Sequence, residues 1–97
     1  MEALPTDDAL LAQLAAKGRK DAFAKLVEAH QRAVFGLCYR LLRDQDEASD
    51  AAQESFVRAY AALGSFDTKQ PFAPWLLRIA RNHCLDNLRR RLTADRV

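Results

Sequence analysis

The chain has 97 residues, with 15 Lys and Arg against 13 Asp and Glu, and 49% of its residues are hydrophobic. This length suits one domain, and the apolar content is typical of a globular chain, which excludes a disordered one. The apolar runs are far shorter than the ~20 residues that span a membrane, and the N-terminus lacks the basic and apolar regions of a signal peptide. We therefore expect a cytoplasmic protein with no membrane insertion.

Apolar residues recur every three or four positions, a period that predicts helices and leaves strand signals nearly absent. The pattern predicts four helices, from about Asp7 to Lys17, Asp21 to Arg43, Asp46 to Leu63 and Pro74 to Leu92. Thr6 is the predicted N-cap of the first helix, and Gly18 ends it. Short connections at 18–20 and 43–46 favour antiparallel neighbours.

These elements predict an all-α fold, a compact bundle of about four helices with a long central helix. Residues 1–92 form the domain in this interpretation, and residues 93–97 are a C-terminal linker or a cut end. The long second helix is expected to pack antiparallel to the third. Gly36 lies inside the second helix at a cost of about 1 kcal/mol relative to Ala, which we interpret as a mark of close packing against another helix.

The two cysteines, Cys38 and Cys84, lie in apolar helical patterns where a free thiol packs as a small hydrophobe. Neither His30 nor His83 stands at a metal-ligand spacing from them. We therefore expect no metal, and a reducing compartment disfavours a disulfide. The sequence also lacks a phosphate-binding loop and any nucleophile and base arrangement, so we expect neither a cofactor nor an enzyme.

Charge divides unevenly along the chain. Residues 44–54 hold five carboxylates and no basic residue, whereas residues 76–97 hold six arginines against two aspartates, a local charge of +4. On the third helix, Asp50, Gln53, Glu54 and Val57 follow helical spacing and form a mostly acidic stripe. Two interpretations stay open: surfaces for charged partners, or two solvated helix faces of opposite sign.

The segment from Gly64 to Pro74 contains turn residues that exclude a continuous helix. Phe66 and Phe72 stand out in this polar loop, either as anchors in the core or as surfaces that stack on a ligand. The fourth helix follows the loop and carries arginines that can neutralise phosphates and an asparagine that can reach base edges. A polar loop with aromatic residues beside such a helix suits single-stranded nucleic acid, although dipole complementation alone also explains a basic helix end.

Several separated blocks carry a family resemblance. They are DAAQESFVRAY at 50–60, LGSF at 63–66, FAPWLLRIARN at 72–82 and DNLRR at 86–90, preceded by DAFAKLV at 21–27 and LCYRLL at 37–42. In this order they resemble region 2 of the bacterial extracytoplasmic-function (ECF) sigma factors, over roughly residues 8 to 92. Members of that family are dissociable subunits of bacterial RNA polymerase that confer promoter specificity and help to open the DNA.

The resemblance implies two partner surfaces. The family helix with the D-x-x-Q-E pattern binds the coiled coil of the polymerase beta-prime clamp, which implies a polymerase-binding set of Asp50, Gln53, Glu54, Val57 and Arg58. The following loop would capture a flipped non-template base of the minus-ten promoter element, and the next helix would contact adjacent bases and phosphates. The implied DNA-binding set is Phe66, Asp67, Thr68, Lys69, Gln70, Phe72, Arg78, Asn82, Arg89 and Arg90.

The resemblance also implies an anti-sigma factor as a partner and, in the family, a downstream domain for the minus-thirty-five element, before which this chain ends. Trp75 resembles a family tryptophan, and we interpret it mainly as a core or loop anchor. An alternative hypothesis is a protein-interaction module whose basic helix is merely solvated. A small-molecule enzyme is a third, formal alternative.

Overall fold

A computed structural model describes residues 3–95. Its helices are α1 (Asp8–Ala16), α2 (Lys20–Leu42), α3 (Gln45–Ala62) and α4 (Phe72–Asp95), with a 3₁₀ turn at Leu63–Ser65 between the last two. No strand occurs in this described part of the chain, and the predicted all-α bundle with a long central helix is confirmed. None of the described helices is both long and apolar enough to cross a membrane.

Aspartate side chains cap the N-termini of α1 and α3. The Asp7 carboxylate accepts hydrogen bonds from the N–H groups of Ala9 and Leu10, at 2.8 and 3.2 Å, and Asp44 caps α3 in the same way. The prediction of Thr6 as the first cap is wrong by one residue, because a carboxylate also complements the positive end of the helix dipole.

The helices pair closely along their lengths. Phe23 of α2 contacts Tyr60 of α3, with ring centroids 4.9 Å apart, while Phe35 farther along α2 lies beside Ala52. The order of contacts reverses between the two helices, so the predicted antiparallel pairing is confirmed. His30 of α2 contacts Phe72 near the start of α4, and α4 then runs along both α2 and α3.

The core lies between all four helices: Leu26, Val34 and Leu76 are almost fully buried, and α1 adds the buried Leu11 and Ala15. On α3 the buried residues are all small, so Ser55 is buried whereas Tyr60 is exposed. The cause is two-sided packing: α3 contacts α2 and α4 together, so its small residues face inward and the larger ring is left at the edge. The Ser55 hydroxyl donates to the Ala51 carbonyl oxygen at 2.7 Å, so its polar group is satisfied.

Both cysteines are fully buried, as predicted for small hydrophobes. The thiol of Cys38 lies against the thiol of Cys84 and the hydroxyl of Ser55. Burial is the main cause that raises the pKa of Cys38 to about 12, and it also raises the pKa of Cys84. Both thiols therefore stay protonated and unreactive at neutral pH.

The fourth helix is longer than the sequence pattern predicts. It begins at Phe72, which places Pro74 in the first turn, where a missing N–H costs no helical hydrogen bond. It continues to Asp95, three residues beyond the predicted end near Leu92, and the Thr93 hydroxyl donates to the Arg89 carbonyl oxygen. Residues 96 and 97 of the predicted linker lie outside the described residues.

Replacing Gly36 with alanine should stabilise the domain. A Cβ built at Gly36 meets no atom within 4 Å, so the predicted close packing of another helix at this position is wrong. Without a clash, the higher helix propensity of alanine should raise the free energy of unfolding by about 0.5–1 kcal/mol, measured by urea denaturation. Gly18→Ala is the matched control and should destabilise, because Gly18 has a φ of +101°. A destabilised Gly36→Ala would contradict this view of the site.

Candidate nucleic-acid and protein interfaces

The loop between α3 and α4 is a hydrogen-bonded turn. The N–H of Gln70 donates to the Asp67 carbonyl oxygen at 2.9 Å, and the N–H of Lys69 donates to the Asp67 carboxylate, also at 2.9 Å. Asp67 therefore braces the turn from within, as Asp side chains commonly do. Lys69, Gln70 and Pro71 are left exposed at its tip.

An aromatic cluster supports this loop from below. The ring centroids of Phe66 lie 4.8 Å from Trp75 and 5.5 Å from Phe72, and those of Phe72 and Trp75 are 5.6 Å apart. Phe66 and Phe72 are buried, which confirms the interpretation of both as core anchors. Both rings support the loop from the core side, and the DNA contacts that the resemblance implies for Phe66 and Phe72 stay a prediction.

His30, a residue outside both implied binding sets, connects α1 to this cluster. Nε2 of His30 lies 2.9 Å from a carboxylate oxygen of Asp8, and its ring centroid is 5.5 Å from that of Phe72. His30 follows Phe23, Leu26 and Val27 at helical spacing in the sequence, which is the signal that it packs toward the interior. Through this pair, α1 holds the base of the loop.

The first half of α4 presents its polar side chains freely. Arg78 and Asn82 are exposed, and neither has a hydrogen-bond or ion-pair partner within residues 3–95. Farther along, Arg89 donates to Asp86 at 3.2 Å and Arg90 donates to Asn87 at 3.3 Å. Of the polar residues in the implied DNA-binding set, Arg78 and Asn82 are the first on α4 after the loop. Their side chains are available to a ligand.

All members of the implied polymerase-binding set are exposed on α3 and form one ridge, which is Asp50, Gln53, Glu54, Val57 and Arg58. The Arg58 side chain pairs with Glu54 at 3.5 Å, one turn away. On one flank of the ridge, Val57 joins Phe23, Phe56 and Tyr60 around an apolar groove between α2 and α3. The ridge therefore combines an acidic side with an apolar one.

The other flank of the ridge faces α4. Glu54 and Arg58 line a polar groove of about 730 Å³ together with His83 and Arg90. Arg91 donates to the carboxylate of Glu47 across the same groove. The acidic and basic segments of the sequence are thus neighbours that partly neutralise each other, which the separate helical patterns did not indicate.

Within the described residues, His83 is the buried group whose side-chain polar atom lacks a partner. It is almost fully buried, and its Nδ1 forms no hydrogen bond. Burial first, and then the positive charge of Arg58, lower the pKa of His83 below its ordinary value of 6.5. No group of three or more His, Cys, Asp or Glu that could hold a metal occurs among residues 3–95.

Acid should destabilise the domain in part through His83. Because its pKa is lower in the folded than in the unfolded chain, the unfolded chain binds the proton first, and stability falls as the pH drops below 6.5. Urea denaturation at pH 7.5 and pH 5.0 should therefore show a smaller loss of stability for His83→Gln than for the unaltered chain. Equal losses would show that the His83 ring does not titrate in this way.

The sequence resembles those of known proteins over most of its length. Residues 26–93 match the family Sigma-70 region 2. The ECF RNA polymerase sigma factor SigW of Bacillus subtilis is 45% identical over 75 residues, which are 77% of this chain and 40% of that protein. The ECF RNA polymerase sigma-E factor of Haemophilus influenzae is 40% identical over 77 residues, 79% of this chain and 40% of that protein. The chain thus spans about two-fifths of the length of these relatives.

Two solved structures share the fold. One is the NMR structure of an engineered region 2 of sigmaE in complex with GTAAAA, with a TM-score of 0.81 and 38% identity over 91% of this chain and 90% of that one. The other is CnrH in complex with the cytosolic domain of CnrY, with a TM-score of 0.76 and 37% identity over 81% of this chain and 51% of that one. The chain therefore belongs to the Sigma-70 region 2 family, as the region 2 domain of an ECF sigma factor.

Proposed function

We propose that this domain acts in transcription initiation by binding the beta-prime clamp of bacterial RNA polymerase and by recognising the promoter minus-ten element as single-stranded DNA. The observation that carries the DNA part is the braced loop at 67–70, which stands on buried aromatic rings and leads directly into the exposed Arg78 and Asn82. The structural relative bound to GTAAAA supports the same ligand class. The domain performs no reaction of its own in this proposal.

The loop would capture a flipped base of the non-template strand. Bases that leave the stack can be read on their edges by polar groups held in one geometry. The hydrogen bonds of Asp67 hold the turn, and Thr68, Lys69 and Gln70 supply donors and acceptors around it. Because the buried cluster fixes the base of the loop, little conformational entropy would be lost when DNA binds. Capture of a flipped base would also favour the open strand and so assist melting.

The fourth helix would contact the nucleotides beside the captured base. Asn82 has a free amide that can donate to and accept from a base edge, the type of contact that specifies sequence. Arg78, Arg89 and Arg90 would neutralise phosphates, a type of contact that positions the strand without reading it. One residue of the helix would therefore determine sequence preference and three would neutralise phosphates, and substitutions can distinguish the two roles.

The ridge on α3 would dock the domain on polymerase. Its acidic members, Asp50 and Glu54, would complement a basic partner surface. Val57 and the adjacent apolar groove would supply apolar surface that is buried on binding. The charged residues would mainly affect the rate and specificity of docking. The apolar contact would mainly affect the lifetime of the complex. The relatives SigW and sigma-E are named as RNA polymerase sigma factors, which supports polymerase as the proposed partner.

An anti-sigma factor is a further proposed partner. CnrH, a structural relative, was solved in complex with the cytosolic domain of CnrY, so this fold can bind a protein partner. The apolar groove beside Phe56 and Tyr60 favours a second candidate function, a module that only binds proteins. That candidate predicts a tight protein complex and no binding to oligonucleotides.

Substitutions on α4 should separate base reading from charge. Asn82→Ala should change the preferred minus-ten sequence, with a loss of about 1–3 kcal/mol on the preferred one. Arg90→Ala should weaken all sequences alike and reduce the slope of log affinity against log salt by about 0.7. Fluorescence anisotropy with labelled single-stranded oligonucleotides measures both effects. If the two variants behave alike, the proposed division of roles is wrong.

A further inference from the structure

A basic groove runs between α2 and the first turns of α4. Its volume is about 780 Å³, and Leu37 and Leu77 contribute to an apolar floor. The full lining is Arg32, Ala33, Gly36, Leu37, Tyr39, Arg40, Pro74, Leu77, Arg78 and Arg81. Apart from Arg78, none of these residues belongs to the DNA-binding set that the family resemblance implies.

The groove concentrates positive charge that no described carboxylate pairs with. Its lining has four guanidinium groups and no carboxylate, and none of these arginines forms an ion pair within the described residues. Arg58, Arg89 and Arg91 differ, because each of them has a carboxylate partner. Unpaired arginines around an apolar floor favour an anionic ligand, which would complete their hydrogen bonds.

Two further features shape the groove for a nucleotide chain. Tyr39 is 44% exposed, and its ring stacks on Phe35 with centroids 6.2 Å apart and planes 17° apart, so its orientation is held. Gly36 lies between the arginines of α2, and a Cβ there would meet no atom within 4 Å. The missing side chain keeps the middle of the groove open, and the tyrosine offers an aromatic face on which a base can stack.

The groove also continues from the candidate base-capture loop. Pro74 follows the last loop residue, Pro71, by a single turn of α4, and Arg78 and Arg81 are the next cations along that helix. We propose that the groove holds the sugar-phosphate backbone of the non-template strand beside the captured base, with Arg32, Arg40 and Arg81 on phosphates. This inference rests on the proposed function and extends the DNA path from α4 onto α2.

Single-stranded DNA fits this groove better than an acidic protein segment. Guanidinium groups bind phosphate through paired hydrogen bonds, and a held aromatic ring suits bases of any sequence. Pro74 lies in the first turn after the loop and lines the groove, so a strand whose base the loop holds can continue into the groove in this proposal. Binding of an acidic protein segment in place of DNA is the competing outcome of the test.

The test uses the 97-residue chain and single-stranded oligonucleotides that contain the minus-ten element alone or with flanking nucleotides on both sides. We expect Arg32→Ala/Arg40→Ala to lose about tenfold in affinity for the longer oligonucleotide at moderate salt, with a salt slope lower by about 1.4. Sequence discrimination should be retained. Gly36→Glu, which places a carboxylate in the groove, should weaken the longer oligonucleotide more than the shorter one.

The control is Lys17→Ala/Lys20→Ala, which removes two exposed cations elsewhere on the surface. Thermal melts check that each variant folds. If the arginine variant matches this control while Asn82→Ala still changes sequence preference, the groove proposal is wrong and the proposed function stands. If the variant loses affinity only for a protein partner, the groove proposal is likewise overturned. If the unaltered chain shows no sequence preference, the proposed function fails and this inference fails with it.

Discussion

Val57→Glu is expected to remove most of the affinity of the domain for RNA polymerase core without harming its fold. Val57 is 61% exposed at the centre of the ridge on α3, so its substitution removes no core contact. In the docked state, loss of a buried valine contact alone corresponds to about 1.5–3 kcal/mol, or roughly tenfold to a hundredfold in affinity. A carboxylate forced into an apolar contact adds to that loss.

The measurement is binding of the purified variant to polymerase core, with single-stranded DNA binding followed in parallel. Leu10→Glu is the matched control, because Leu10 is also an exposed apolar residue but lies on α1, away from the ridge. It should leave polymerase affinity nearly unchanged. Equal loss in both variants, or an unaffected Val57→Glu, would contradict the assignment of the ridge to polymerase.

Phe72→Ala is expected to have the largest effect on stability and to remove sequence discrimination as well. Phe72 is 3% exposed and contacts Phe66, Trp75 and His30, so its loss leaves a cavity where the loop meets the core. Truncation of a buried phenylalanine costs about 3–5 kcal/mol, a large part of the stability of a small domain. The loop would lose its floor, and with it the fixed geometry that base reading requires.

Phe72→Leu separates the two consequences. It keeps most of the volume and should cost less than about 1.5 kcal/mol, so the variant remains folded for binding measurements. Urea denaturation gives the stability change, and anisotropy on cognate and altered oligonucleotides gives the discrimination. A Phe72→Ala chain that is as stable as the unaltered one would show that the aromatic cluster does not support the loop.

The helices could be predicted from the sequence because each carries its own local signals. The apolar stripe of α2, the short connections and the turn residues of the loop each act within a few residues of the structure they determine. The antiparallel pairing of α2 with α3 follows from the brevity of the connection. The exact N-cap of α1 could not be predicted, because the neighbouring residues Thr6 and Asp7 can both cap a helix and Asp7 does so in the structure.

The arrangement of the surfaces could not be predicted, because it depends on how whole helices turn toward each other. Rotation of α3 buries Ser55 and exposes Tyr60, and it brings Glu47 against Arg91 from a distant part of the sequence. Gly36 shows the same limit: a helical glycine is compatible with close packing or with an open groove, and only the position of α4 decides. The burial of His83 likewise results from tertiary contact.

Recognition of the minus-ten element as a single strand is the central property that we propose for this domain. Its most direct test is the affinity of the unaltered chain for non-template oligonucleotides in which each position of the element is replaced in turn, at several salt concentrations. We predict losses of about 1–3 kcal/mol at one or two positions and a preference that persists as salt increases. Equal affinity for every sequence, with salt dependence alone, would contradict the account.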